Sequence, residues 1–262
     1  MSSQAVLTEV KNGVARITLN EPDSLNALST AIIEGLNETI GSIKNDPDIR
    51  AVILTGNGRA FCAGGNIKGF SSISSAAAGR KRMEDHTHFL KDLAQMEKPV
   101  IAAVNGHAVG AGFSIALACD FIIASERSKF ALGFHKIGLV PDLGGLYHLP
   151  RIVGMARAKE LAFSDRTLSA AEAKEYGICL EVVEVEQLLD RTQEIAETFA
   201  SSPTIAIGLA KSLLNRSFES SLDDMLREES MVQGIAFTTA DHKEGVRAFL
   251  EKTKPNFTGS YS

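Results

Sequence analysis

The stretch from Pro99 to Cys119, PVIAAVNGHAVGAGFSIALAC, restricts the possible folds more than any other part of the chain. It carries no Asp, Glu, Lys or Arg. Asn105, His107 and the glycine turns would nevertheless strand polar groups inside a bilayer, so a membrane span is not expected. The remaining reading is a strand over 100–104, a glycine turn, and a helix from Gly110 to Cys119. A strand that is apolar at every position, rather than alternating, needs cover on both faces of its sheet.

The pattern recurs on both sides of that stretch. AVLTEV (5–10) and GVARITL (13–19) flank an AsnGly pair, which predicts antiparallel strands joined by a tight hairpin turn at Asn12 and Gly13. Ser29 precedes apolar residues at 32, 33, 36, 40 and 43, a helical spacing, and the strand AVILT follows at 51–55. A polar helix over about 79–95 leads into the 100–104 strand, and DFIIA at 120–124 is the next strand. Strands separated by helices indicate an α/β class. SSISSAAAG at 71–79 is small and unpatterned and reads as a mobile loop. After about residue 185 strand patterns stop. Amphipathic helical segments follow at 188–200, 205–215, 222–237 and 242–252.

With 262 residues, 44% hydrophobic, the chain can bury one sizeable core. A net charge of −5 without a basic block speaks against a nucleic-acid partner. Three cysteines without metal-ligand spacing suggest neither disulfides nor zinc, and a cytoplasmic location is expected. Neither a signal-peptide pattern at the beginning nor a peroxisomal address at the end is legible.

Two glycine turns, GNGRAFCAGGNIK at 56–68 and NGHAVGAGFS at 105–114, each follow a strand. Together they can aim one backbone amide apiece at a single carbonyl oxygen, the requirement of an enolate-forming site. A dinucleotide fingerprint fits poorly, because Ile115 stands where glycine or alanine is needed and no acid follows about twenty residues on. His107, His135 and His148 invite a general-base reading, and Ser114 with one of them a hydrolase reading, but GxSxG is missing. Cys62 reads as a packing residue and Asp120 as a satisfier of local backbone groups.

FCAGGNIK at 61–68, VIAAVNGHAVGAG at 100–112 and KIGLVPDLGGLYHLPRIVG at 136–154 resemble the crotonase (enoyl-CoA hydratase/isomerase) superfamily, over nearly the whole chain. The ProAsp pair at 141–142 and EGVRAFLEKTKPNF at 244–257 most resemble the 1,2-epoxyphenylacetyl-CoA isomerase-like branch of phenylacetate catabolism. The resemblance implies a ββα spiral core over 1–200, for acyl-CoA binding and catalysis, and a helical oligomerisation region over 201–262. It implies an oxyanion hole from the amides of Gly65 and Ala111. The family's two hydratase glutamates are matched here by Ser114 and Phe134, and Asp142 stands where some isomerases keep their acid.

On the same basis Ser24, Leu25, Ala27, Ala63, Asn66, Ile67 and Lys68 contact coenzyme A, with Phe249 and Lys252 at its nucleotide end. Ser114, Phe134 and Leu139 line the acyl pocket, and useful basicity of Asp142 requires burial among such apolar neighbours. The resemblance also implies a homotrimer or hexamer, an acyl-CoA thioester as partner, and no metal or redox cofactor, coenzyme A being part of the substrate. Without either glutamate to hold water, isomerisation of a double bond (β,γ to α,β) or of a ring-epoxide acyl-CoA is favoured. An enoyl-CoA hydratase and a catalytically weak acyl-CoA-binding subunit are the alternatives.

Overall fold

The computed structural model describes residues 4–164 and 166–261, without the side chains of Lys68, Ser71 and Ser72. It opens with β1 (Val6–Lys11) and β2 (Val14–Leu19), paired antiparallel. Between them Asn12 and Gly13 both take positive φ, 52° and 73°, the geometry that matches a two-residue turn to the twist of its strands. Ser29 then accepts the Ile32 N–H at 3.1 Å and caps α1 (Thr30–Ile43), whose buried stripe is the one read from the spacing.

The chain next repeats one unit, a strand in a large sheet, a strand in a small sheet, then helices. The first unit is β3 (Ala51–Gly56), β4 (Ala60–Cys62), α2 (Ala76–His86) and α3 (His88–Gln95). The second is β5 (Val100–Val104), β6 (His107–Val109) and α4 (Ala111–Leu117). The third is β7 (Phe121–Ser125), β8 (Lys129–Ala131), α5 (Gly145–Val153) and α6 (Met155–Phe163). β9 (Leu168–Ser169), α7 (Ala170–Glu175), β10 (Glu181–Val183) and α8 (Leu188–Ala200) complete the layers. The large sheet runs β1-β2-β3-β5-β7-β10, parallel from β2 onward, and the small one β4-β6-β8-β9. This is the ββα spiral.

Successive strand residues point to opposite faces, which explains why β3 and β5 are apolar throughout. Ala51, Ile53, Ile101 and Ala103 pack with Leu188, Ala196 and Ala200 of α8. Val52, Leu54, Ala102 and Val104 face the other way, into the main core with Leu36 and Ile40 of α1 and Phe113 of α4. Each fully buried Ile, Leu or Phe contributes roughly 1.5–3 kcal/mol of transfer free energy.

Three helices follow, α9 (Thr204–Arg216), α10 (Leu222–Ala236) and α11 (Ala240–Glu251). Lys211 of α9 is buried and donates to Asp120 Oδ2 at 2.7 Å and the Lys98 carbonyl at 3.0 Å. Asp120 also accepts the Val100 N–H, so it serves backbone and ion pair together. Arg50 donates to the Ser202 and Phe257 carbonyls, and buried Asp241 accepts the N–H groups of Thr258 and Gly259.

Two expectations are corrected. Residues 71–79 are not a loop throughout: a 3-10 turn covers 67–72, Ser75 accepts the Ala78 N–H, and α2 starts on the following alanines. Alanine is the best helix former, which a reading by hydrophobic pattern overlooks. The single helix over 79–95 is two, divided at Thr87. No helix among the described residues is long and apolar enough to cross a membrane.

Candidate active site

The two glycine turns pack closely against each other, and the first is also tied by backbone hydrogen bonds to residues 25–28. The Ala63 N–H donates to the Leu25 carbonyl at 3.0 Å, and the Leu28 N–H to the Gly64 carbonyl at 2.8 Å. Gly64 takes φ 101°, and a Cβ there would lie 2.9 Å from the Val109 carbonyl oxygen and 3.6 Å from the Ala111 nitrogen. A Cβ on Gly112 would sit 2.1 Å from the Cys62 carbonyl oxygen, so α4 can reach this place only with glycine at that position. Among the described residues the N–H groups of Gly65 and Ala111 donate no loop hydrogen bond, whereas those of Ala63 and Gly110 donate to the Leu25 and Ala131 carbonyls. Ala111 is the first residue of α4, where an N–H has no intrahelical acceptor. The seven-residue helix adds little dipole, so the donors themselves are the asset.

Asp142 lies in the turn that precedes α5. Leu143 (φ 47°) and Gly144 (φ 75°) are both left-handed, which tucks Leu143 into the core and leaves the Asp142 carboxylate half-buried. Its Oδ1 has no hydrogen-bond partner. Burial pushes the carboxyl up to about 6, and a hydrogen bond from its own N–H offsets only part of that rise. It does not cap a helix: α5 has Gly144 as N-cap, without a side-chain cap. The turn leads directly onto α4, since a Cβ on Gly145 would fall 2.5 Å from Ser114 Oγ, one turn after Ala111.

That contact corrects the expectation for Ser114. The residue is fully buried under Gly145, with its hydroxyl 3.4 Å from the Gly110 carbonyl, and supports the wall of the site instead of lining it. Phe134 is buried, with its ring tip 3.7 Å from the Cβ position of Gly110. Leu139 is 45% exposed in the single chain, because left-handed Gly138 turns it outward, so it does not bury Asp142.

The residues expected to contact coenzyme A divide into two groups. Ser24, Leu25 and Ala27 lie beside Ala63 through the backbone bonds just described, and Asn26 fixes them by donating to the Asn57 and Ala60 carbonyls. Asn66 and exposed Ile67 continue the loop, whereas the Lys68 side chain lies outside the described residues. Phe249 is 83% exposed in an apolar groove lined by α9, α10, α11 and Phe257, and Lys252 ends α11 in a left-handed conformation. The groove draws no lining residue from 24–27 or 63–67, so one chain does not bring this pair to the loop. The outward face of α11 is the reason.

Burial raises the Cys62 thiol to about 12, in keeping with a packing residue. His148 is half-buried and pushed down by burial and by Arg151. Sequence reasoning missed Phe70, whose ring end lies against Gly65 next to the segment read as a mobile loop, and Arg82, which stands over that ring.

The sequence matches the Enoyl-CoA hydratase/isomerase family over residues 9–260. The chain belongs to that family. A 1,2-epoxyphenylacetyl-CoA isomerase of Escherichia coli (strain K12) is 40% identical over 257 residues, 97% of this chain and 98% of the relative. A probable mitochondrial enoyl-CoA hydratase of Dictyostelium discoideum is 38% identical over 95% of this chain and 89% of its own. Among solved structures, an enoyl-CoA hydratase/isomerase from Cupriavidus metallidurans CH34 superposes with a TM-score of 0.93 at 37% identity, covering 99% of this chain and 98% of that one. The family's fold and its hydratase/isomerase class therefore apply to this chain, while the names of its relatives divide between the two reactions.

Proposed function

We propose that the protein is an acyl-CoA isomerase with Asp142 as its proton carrier, acting on a β,γ-unsaturated or ring-epoxide acyl-CoA. The observation that carries this reading is the half-buried Asp142 carboxylate, raised to about 6 and lacking a partner on Oδ1, in a site whose two hydratase positions hold Ser114 and Phe134. A base with that value is largely ionised at neutral pH and still close enough to neutrality to return its proton.

For a β,γ-enoyl thioester, the carboxylate takes a proton from the α-carbon. The C–H electron pair moves toward the carbonyl, whose oxygen becomes an oxyanion between the Gly65 and Ala111 amides. The dienolate then collapses as the same proton is delivered to the γ-carbon, leaving the double bond α,β. Neither water nor a redox or metal cofactor enters this balance. The segments 24–27 and 63–67 hold the coenzyme A portion. Phe249 and Lys252 reach it from a neighbouring protomer in a trimer or pair of trimers built on residues 201–262, next to the 1–200 core. Exposed Leu214, Phe218, Leu222 and Met231 supply the apolar contact, and a monomer mass in solution would oppose that assembly. Three free, buried thiols accord with the cytoplasm.

The test incubates the purified protein with 3-enoyl-CoA and 2-enoyl-CoA in parallel, followed by mass and ultraviolet absorbance, and repeats it with Asp142→Asn. The reading expects conversion of 3-enoyl to 2-enoyl without mass change, reduced about 10²–10⁴-fold in the variant. A mass gain of one water from 2-enoyl-CoA at comparable rate would make the protein a hydratase. Tight thioester binding without any product would leave a binding subunit.

A further inference from the structure

Phe70 approaches the oxyanion loop tip first. A Cβ built on Gly65 would lie 2.9 Å from Phe70 Cζ and 3.6 Å from Cε1, so the ring end rests against the α-carbon of the residue whose amide faces the site. The guanidinium of Arg82 stands over the same ring, 5.7 Å from its centroid, and reaches within 3.7 Å of the Cβ position of Gly69. On α2 the neighbouring cations turn outward, Arg80 to Glu84 and Lys81 to Asp85, whereas Arg82 turns inward and is half-buried. The helix thus delivers one cation to brace one ring.

Gly65, lacking a Cβ, has more backbone freedom than any other residue type, and an oxyanion donor works only when its direction is fixed before charge develops. A ring tip pressed on the α-carbon restrains that freedom. It also keeps water from one side of the amide, where a donor acts more strongly on a nascent oxyanion. The contact is reciprocal: a methyl group at 65 would have to push the ring end of Phe70 aside.

We infer that Phe70, braced by Arg82, is a positioning residue that fixes and dries the Gly65 amide, and that Gly65 and Phe70 form a matched pair. The inference rests on the reading of Gly65 and Ala111 as oxyanion donors.

Acetoacetyl-CoA tests it without turnover, because its bound enolate has its own ultraviolet band. The wild-type protein is expected to show that band at a pH where free acetoacetyl-CoA does not. Phe70→Ala should weaken enolate binding about tenfold, a fraction of the loss from deleting a donor outright. Binding of an S-alkyl-CoA thioether, which has no carbonyl, should stay unchanged, and Phe70→Leu should recover most of the band. Gly65→Ala should lose the band by itself and regain part of it when combined with Phe70→Ala, a non-additive cycle. An enolate band equally strong in wild type, Phe70→Ala and Arg82→Gln, or additive losses in the double variant, would overturn the pairing while leaving the oxyanion reading intact. Absence of the band in the wild type would overturn the oxyanion reading, and the pairing with it.

Discussion

The glycine turns and the Asp142 turn meet at Ser114 and Gly145, yet they are built on opposite principles. At 63–65 and 110–112 the proposed working groups are backbone amides, and Gly64 and Gly112 tolerate no added atom: their Cβ positions fall 2.9 Å and 2.1 Å from carbonyl oxygens. At 141–145 the proposed working group is one side chain with an unpartnered oxygen. The first region can be broken sterically with little change in chemistry, and the second chemically with little change in shape. Donors that must not move are best made of main chain, whereas a proton carrier must titrate and so has to be a side chain.

The contrast breaks hardest at Gly112. Gly112→Ala is expected to destabilise the fold by about 3 kcal/mol, the upper end of the usual overpacking cost, in urea unfolding, since an overpacked core has to shift backbone against backbone. Asp142→Asn, by comparison, should fold normally and lose turnover alone. If Gly112→Ala is as stable as the parent, the turns are less tightly interlocked than their geometry indicates.

The second expectation concerns pH. Since Asp142 must be ionised to accept a proton, kcat/KM for a 3-enoyl-CoA should fall about tenfold per unit below about 6 and level off above it. A profile flat down to pH 4.5 would remove Asp142 from the role of base.

The third effect is smaller and opposite in direction. With a folded value of about 6 against an ordinary 3.8, the native state binds this proton more tightly than the unfolded chain does. Asp142 therefore costs stability progressively as pH rises from near 4 to near 6, and the cost is full and constant above that. Asp142→Asn should melt a few degrees higher than the parent at pH 7–8, with the difference vanishing toward pH 4, by calorimetry. A variant that melts lower at pH 7 would show the carboxylate to be satisfied in the fold. Least of all should Cys62 matter to reactivity: fully buried and raised to about 12, it should resist thiol reagents at pH 8 until the protein unfolds.

Much of the molecule was legible because its elements bury a face. The stripe of α1, the all-apolar strands β3 and β5, and α8 to α11 follow from periodicity to within a residue or two. α2 was read only in part, its first residues taken as loop and its end at Thr87 not seen, because it buries no residue and so has no stripe to read. In the candidate site, Gly65, Ala111 and Asp142 were singled out by motif, but their environment was not legible. The depth of Ser114 depends on Gly145, thirty-one residues on, and the outward turn of Leu139 on the left-handed backbone at Gly138. Such facts belong to contacts between distant segments, which no local pattern encodes.

The ties of Arg50 and Asp241 carry a consequence for the order in which the protein is made. Arg50 leaves the ribosome among the first fifth of the chain, but two of its acceptors are the carbonyls of Ser202 and Phe257. Asp241, in turn, waits for Thr258 and Gly259. During synthesis the early guanidinium lacks these acceptors until residues 202 and 257 have been translated. A nascent chain halted before residue 257 would hold most of its core yet lack this clasp, leaving the last helices the most exposed to quality-control proteases.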